Sequence, residues 1–159
     1  MSARRAPAVA APPMPRLDRP QLDHYFAVGR DRGISWTPLR QQILELLWRS
    51  GKPWGAYALA EELRRASFQG YPNSVYRILA IFEQARLVVN IVSSRRVQIS
   101  PDPAEFAWAV LQCPECDRFE LVPFTSQAAI VREAAGRLGY ATGQVMIECI
   151  GQCRGCESH

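Results

Sequence analysis

Through the first hundred residues apolar positions recur every three or four residues, and beyond residue 106 they shift to short runs and alternation. That change predicts helices first and strands afterwards. Residues 21–32 bring Leu22, Tyr25, Phe26 and Gly29 to one side, predicting a short helix that stops at Gly33. Thr37 before Pro38 is a cap followed by a first-turn proline, and Leu39, Ile43, Leu46 and Leu47 follow at helical spacing until Ser50-Gly51. Residues 56–65 place Leu59, Ala60 and Leu63 on one stripe, with Arg64 and Arg65 in the last turn, where positive charge suits the helix dipole. After Gly70, residues 73–86 gather Val75, Ile78, Leu79 and Phe82 within roughly 100° of arc, a core-facing stripe. The opposite arc carries Asn73, Tyr76, Arg77, Ala80 and Gln84. Two apolar runs, 87–92 and 97–99, flank Ser93-Ser94-Arg95-Arg96 and predict a hairpin with two arginines at its tip.

Pro101, Asp102 and Pro103 interrupt the pattern and predict a hinge over 101–105. Strands are expected over 107–113 and 119–124, then a helix over 126–138 closed by Gly139, then a strand over 144–150. Ile130, Val131, Ala134 and Leu138 give that helix one apolar face. Residues 1–16, rich in alanine and proline, read as a disordered arm. Pro7, Pro12, Pro13 and Pro15 break what would otherwise imitate an export signal. The expected organisation is therefore an α+β chain: an arm over 1–16, a helical unit with a hairpin over 17–100, the hinge, and a small α/β unit over 106–159.

Charge adds a second division. Residues 1–100 carry 15 basic and 7 acidic residues (+8), whereas 101–159 carry 4 basic and 8 acidic (−4). A basic half carrying short helices and a basic-tipped hairpin predicts a winged helix-turn-helix that meets double-stranded DNA. Its second linked helix would lie in the major groove and its wing on phosphates. The outward residues of the 73–86 helix can hydrogen-bond or touch base edges, and Ala80 permits close approach. No run nears the roughly 18–20 apolar residues of a membrane helix, so a soluble protein of the cytoplasm without a membrane partner is expected.

Five cysteines in a reducing compartment point to thiols or metal ligands rather than disulfides. Cys113-Pro114-Glu115-Cys116 and Cys153-Arg154-Gly155-Cys156 are two Cys-x-x-Cys knuckles 36 residues apart, and together they supply a tetrahedral four-sulfur shell. A closed shell predicts one structural zinc per chain, which would staple a unit too small to hold itself. Iron suits the same geometry, and spacing does not separate the two. Cys149 is left over. Strand alternation puts it with Val145 and Ile147, predicting a buried thiol; the other reading is a redox sensor. Two histidines, no phosphate-cradling glycine loop and a closed metal shell argue against an enzyme.

The order of elements, Thr37-Pro38-Leu39-Arg40, Asn73-Ser74-Val75-Tyr76-Arg77 and the paired knuckles together resemble the ferric uptake regulator superfamily of bacterial transcription factors, most of all its zinc uptake regulator branch, over residues 20–157. The resemblance implies a homodimer with a winged helix, a dimerisation domain and a four-cysteine zinc site. By position it implies base contacts from Tyr76 and Arg77, with Asn73 and Ser74 on the same DNA-facing helix. Arg95 and Arg96 would serve the wing, and Arg16 and Arg19 the DNA backbone or minor groove. A palindromic, AT-rich operator and repression by promoter occlusion complete that picture.

The departures are equally definite. Relatives carry a His-rich stretch before the first knuckle that binds a regulatory ion between the domains, but residues 104–112 read Ala-Glu-Phe-Ala-Trp-Ala-Val-Leu-Gln. The only histidines are His24 and His159. Asp102, Glu105, Glu148, Cys149 and His24 remain as scattered donors. The regulatory site is expected to be absent or altered, with Trp108 and apolar neighbours in its place. A winged-helix adaptor that binds protein, or a redox-responsive regulator using Cys149, are the competing functions.

Overall fold

The structure, a computed structural model, describes residues 19–157. The expected arm over 1–16, Arg16 and His159 lie outside the described residues, as does the side chain of Arg19. Helix α1 (Arg19–Asp31) turns out through Gly33, which adopts the left-handed φ of +82°. Helix α2 (Pro38–Ser50) begins as its sequence predicts: Thr37 is extended, its hydroxyl accepts the Arg40 N–H at 3.4 Å, and Gly51 closes the other end at φ +59°. Its buried face is Ile43, Leu44, Leu47 and Trp48, rotated from the expected stripe, with Leu39 and Leu46 at the margin.

A two-residue strand β1 (Trp54–Gly55) leads into α3 (Ala56–Arg65), which buries Ala56, Leu59, Ala60 and Leu63. Helix α4 (Pro72–Gln84) buries the predicted Val75, Ile78, Leu79 and Phe82. Strands β2 (Val88–Ile91) and β3 (Arg96–Ile99) form the hairpin, and β1 adds to its edge in the order β1-β3-β2, all antiparallel. This is the winged-helix arrangement. β1 has no sequence signal, because two residues carry no period.

Arg96 corrects the expected tip. It belongs to β3, opposite Ile91, so only Arg95 stays in the turn, at φ +52°.

The core of this unit is closed by an aromatic bracket. The Trp36 indole N–H donates to the Phe26 carbonyl at 3.0 Å, and its ring packs on Phe26 and Phe82 with centroids 4.8 and 5.7 Å away. A Cβ on Gly29 would lie 2.3 Å from that ring. Gly29→Ala is therefore expected to destabilise the chain by about 1–3 kcal/mol through overpacking, although alanine favours a helix by about 1 kcal/mol. A lower urea midpoint with unchanged slope checks it.

Strand β4 (Ala107–Cys113) is central in the second sheet. Antiparallel β5 (Arg118–Pro123) flanks it on one side and parallel β6 (Val145–Ile150) on the other, with α5 (Thr125–Arg137) as the crossover. One face of the sheet presents Trp108, Val110, Phe119, Leu121 and Met146 to Val89 and Ile91 of β2. The other face, with Leu111, Ile147 and Cys149, is open. Cys149 is thus exposed, which corrects the expectation of a buried thiol: alternation chose its face correctly, but none of the described residues covers it. Likewise α5 buries only Ala128 and leaves Ile130, Val131 and Leu138 in solvent.

The segment expected as a hinge is tied down. The Tyr25 hydroxyl donates to the Ser100 carbonyl, and the Arg32 guanidinium donates to the carbonyls of Ala85 (2.6 Å) and Pro103 (3.0 Å). Burial, with Asp102 nearby, pushes the Tyr25 hydroxyl well above the usual phenol range, keeping it a donor. Among the described residues no helix is long and apolar enough to cross a membrane.

Candidate functional site

Parallel pairing of β4 with β6 brings the two knuckles to one end of the sheet: Gln112 lies opposite Ile150, so Cys113 and Cys116 leave the sheet beside Cys153 and Cys156. The four sulfurs lie within 4.8 Å of one another, and those of Cys116 and Cys153 are 3.7 Å apart. A tetrahedral zinc with Zn–S bonds of about 2.3 Å separates its sulfurs by about 3.8 Å, so the donor set fits that ion closely. All four ligand positions are thiolates, which leaves none open for a reacting water and makes the site structural.

The protein already favours the thiolate at Cys113 and Cys153 over Cys116 and Cys156. The Cys153 N–H donates to the Cys113 sulfur at 3.4 Å and, with other backbone donors of the knuckle, draws its pKa down to about 6. Hydrogen bonding among the clustered sulfurs, first with Cys116 and then with Cys153, holds the Cys156 proton up to about 12. A divalent ion displaces such shared protons.

On the other unit α4 turns Asn73, Tyr76, Arg77 and Ala80 to solvent, with Ser74 half-buried in its first turn. No ion pair or side-chain hydrogen bond engages Arg77 or Arg95 among the described residues. By contrast Arg64 and Arg65 pair with Glu61 and Glu62. Arg96 is drawn inward: its guanidinium meets Asp117 at 2.6 Å and stacks over Phe119 at 5.4 Å. Tyr57, which the sequence reading missed, stands edge-on to Tyr76 with centroids 6.0 Å apart and is 70% exposed. Its signal was available: an aromatic in the first turn of α3, off the Leu59–Leu63 stripe.

The scattered donors do not converge. Among the described residues only the four cysteines form a group able to hold a metal. Glu105 accepts from the backbone just after it, Phe106 N–H at 2.7 Å and Ala107 N–H at 3.1 Å; together with the Thr125 hydroxyl, the largest influence, they hold it below the usual carboxylate range. Glu148 accepts the Val92 N–H at 2.7 Å and the Ser93 N–H at 3.1 Å. Burial opposes its ionisation, but the Ser93 hydroxyl and these two N–H groups outweigh it and lower its pKa. His24 is exposed on α1, and Cys149 is on the sheet face opposite Glu148.

Comparison with known proteins points one way. No protein-family model matches the chain. It is 26% identical over 127 residues to the zinc uptake regulation protein of Escherichia coli strain K12, covering 79% of this chain and 74% of that one. The solved zinc uptake regulator complexed with zinc and DNA superposes with a TM-score of 0.74 at 24% identity, over 86% of this chain and 93% of that one. Holo XcZur gives 0.70 at 25% identity, over 87% and 99%. In fold alone the likeness extends to the ferric uptake regulator of Francisella tularensis with iron, TM-score 0.55 at 17% identity over 79% and 96%.

Proposed function

We propose, from the premise that the chain belongs to the ferric uptake regulator superfamily on its zinc uptake regulator side, that it is a homodimeric, sequence-specific DNA-binding regulator of transcription, a repressor, with one structural zinc in each chain. The observation that carries this reading is the division of α4. Val75, Ile78, Leu79 and Phe82 fix the helix in the core, while Asn73, Tyr76 and the unpaired Arg77 face outward, a donor-rich surface suited to base edges in a major groove. Arg95 at the wing tip, Arg16 ahead of α1 and Arg19 at its first position would add phosphate or minor-groove contacts, and the +8 charge of residues 1–100 would speed encounter with a polyanion. In this reading residues 17–100 read DNA, 106–159 dimerise, and free thiols suit a reducing cytoplasm.

A second copy is the partner best suited to the open face of the second unit. Ile130, Val131 and Leu138 of α5, Tyr140, and Ile147 of edge strand β6 are large apolar side chains left exposed, and exposed apolar surface beside a strand edge is where a partner chain docks. Two-fold symmetry of the pair would match a palindromic operator.

Selection of 30-base-pair duplexes from a random pool by the zinc-loaded protein tests the reading. A palindrome should be enriched, and its affinity should fall steeply with salt. Ile130→Asp with Leu138→Asp should give a monomer by sedimentation, still carrying zinc, with operator affinity reduced at least a hundredfold. Enrichment of no sequence would overturn the DNA-binding assignment, and an intact dimer in the double variant would overturn the interface.

A further inference from the structure

The contact between the two units is an apolar seam fastened by polar ties. Val89 and Ile91 of β2 are fully buried against Trp108 and Val110 of β4, and Phe119, Leu121 and Met146 close the edges. These side chains offer no imidazole, carboxylate or thiolate. Around the seam the wing is tied to the second unit at three points. The Glu148 carboxylate accepts the Val92 and Ser93 N–H groups, where the chain leaves β2 for the turn. The Ser93 hydroxyl reaches Gln112 at 3.4 Å, and Arg96 pairs with Asp117, the residue just after the first cysteine knuckle. The wing is thereby joined to the loop that carries the metal site.

We propose that this seam is a built-in lock: packing and the Glu148 clamp hold the DNA-reading unit in its working pose without an ion at the junction, so that filling the four-cysteine site is the whole metal requirement of DNA binding. The proposal rests on the function proposed above. A regulatory ion of the kind the family resemblance implies does not fit here. The junction is lined with hydrocarbon and aromatic rings, the carboxylates of Glu105 and Glu148 are already taken up by backbone N–H groups, His24 is exposed on α1 and in no donor cluster, and Cys149 lies on the other face of the sheet. Glu148 is a positioning residue in this scheme. It touches no DNA, and its two oxygens anchor the root of the wing turn from which Arg95 projects.

The test uses the full chain. Metal content is measured in buffers of rising free zinc, and in parallel affinity for the selected duplex and hydrogen exchange at the Val92 and Ser93 amides. One zinc per chain is expected. Affinity should stay constant within about twofold once that site is full, including after addition of iron(II) or manganese(II), and the amide protection should not depend on metal beyond that first equivalent. Glu148→Gln, which keeps the shape but loses the charge and one acceptor, should speed exchange at both amides about tenfold. It should also weaken duplex binding about three- to tenfold with an unchanged salt slope, because no phosphate contact is lost. A second bound ion that raises affinity more than tenfold would overturn the lock, as would Glu148→Gln with both amides as protected as before. If no duplex is ever enriched, the functional reading falls, while ion stoichiometry and amide exchange still decide the lock.

Discussion

Serine at Cys153 and Cys156 is expected to strip the chain of zinc, to below about a tenth of an equivalent, and to unfold the second unit while the first keeps its helices. The magnitudes favour so large an effect. Of the second unit's apolar side chains only Ala107, Trp108, Val110, Cys113 and Ala128 are buried, and two of these lean on β2 rather than on each other. Such a core cannot offset the chain entropy of some fifty residues. Closure of a four-thiolate zinc site contributes about 10–16 kcal/mol, comparable with the whole stability of an ordinary domain. The helical unit has its own core, with Ile43, Leu47, Leu59, Leu63 and Phe82 wholly buried, and does not depend on the ion. Zinc content, limited proteolysis and sedimentation read the outcome together. Cys149→Ser is the control: its thiol is exposed and outside the sulfur cluster, so zinc stoichiometry should not change. A double serine variant that kept its shape and oligomeric state would remove the physical basis of the account.

Alanine at Tyr76 or Arg77 should cost about 1–3 kcal/mol of preference for the selected duplex over a scrambled one, roughly 5- to 150-fold each, with far smaller loss on the scrambled sequence. Arg95→Ala should act differently. It removes a phosphate contact, so affinity should drop on both duplexes and the salt slope should lessen by about one. Arg96→Ala should barely alter that slope, because Asp117 already engages its guanidinium; its effect belongs to the seam. Tyr57→Ala should partly reproduce Tyr76→Ala by removing the ring that braces it. Equal losses on selected and scrambled duplexes in the Tyr76 and Arg77 variants would show that α4 does not read bases.

Much of the first unit was legible because its signals are local. Thr37-Pro38 starts α2 and Gly51 ends it through backbone geometry that needs no partner, and the 75–78–79–82 stripe of α4 has a single stable way to be buried. The knuckles were legible for a chemical reason: few arrangements other than a metal shell need two Cys-x-x-Cys pairs in one small unit. What failed did so where a residue's surroundings come from distant chain. Strand alternation put Cys149 on its correct face but could not say that the face is bare. The apolar stripe of α5 was legible but not what would cover it, and Ile130 and Leu138 face solvent within a single chain. Arg95 and Arg96 looked equivalent as neighbours, and strand register separated them, leaving one at the tip and pairing the other with Asp117.

By itself the sequence determined the succession of helices and strands, the sulfur ligand set and the absence of histidines from residues 104–112, because each follows from residue type and short spacing. Only the tertiary structure decided that parallel pairing of β4 and β6 unites the sulfurs, that Glu148 is spent on the wing turn, and that Val89 and Ile91 meet Trp108 and Val110 across an apolar seam. Those are contacts between residues far apart in the chain, set by packing and register, and no local pattern encodes which face will find a partner.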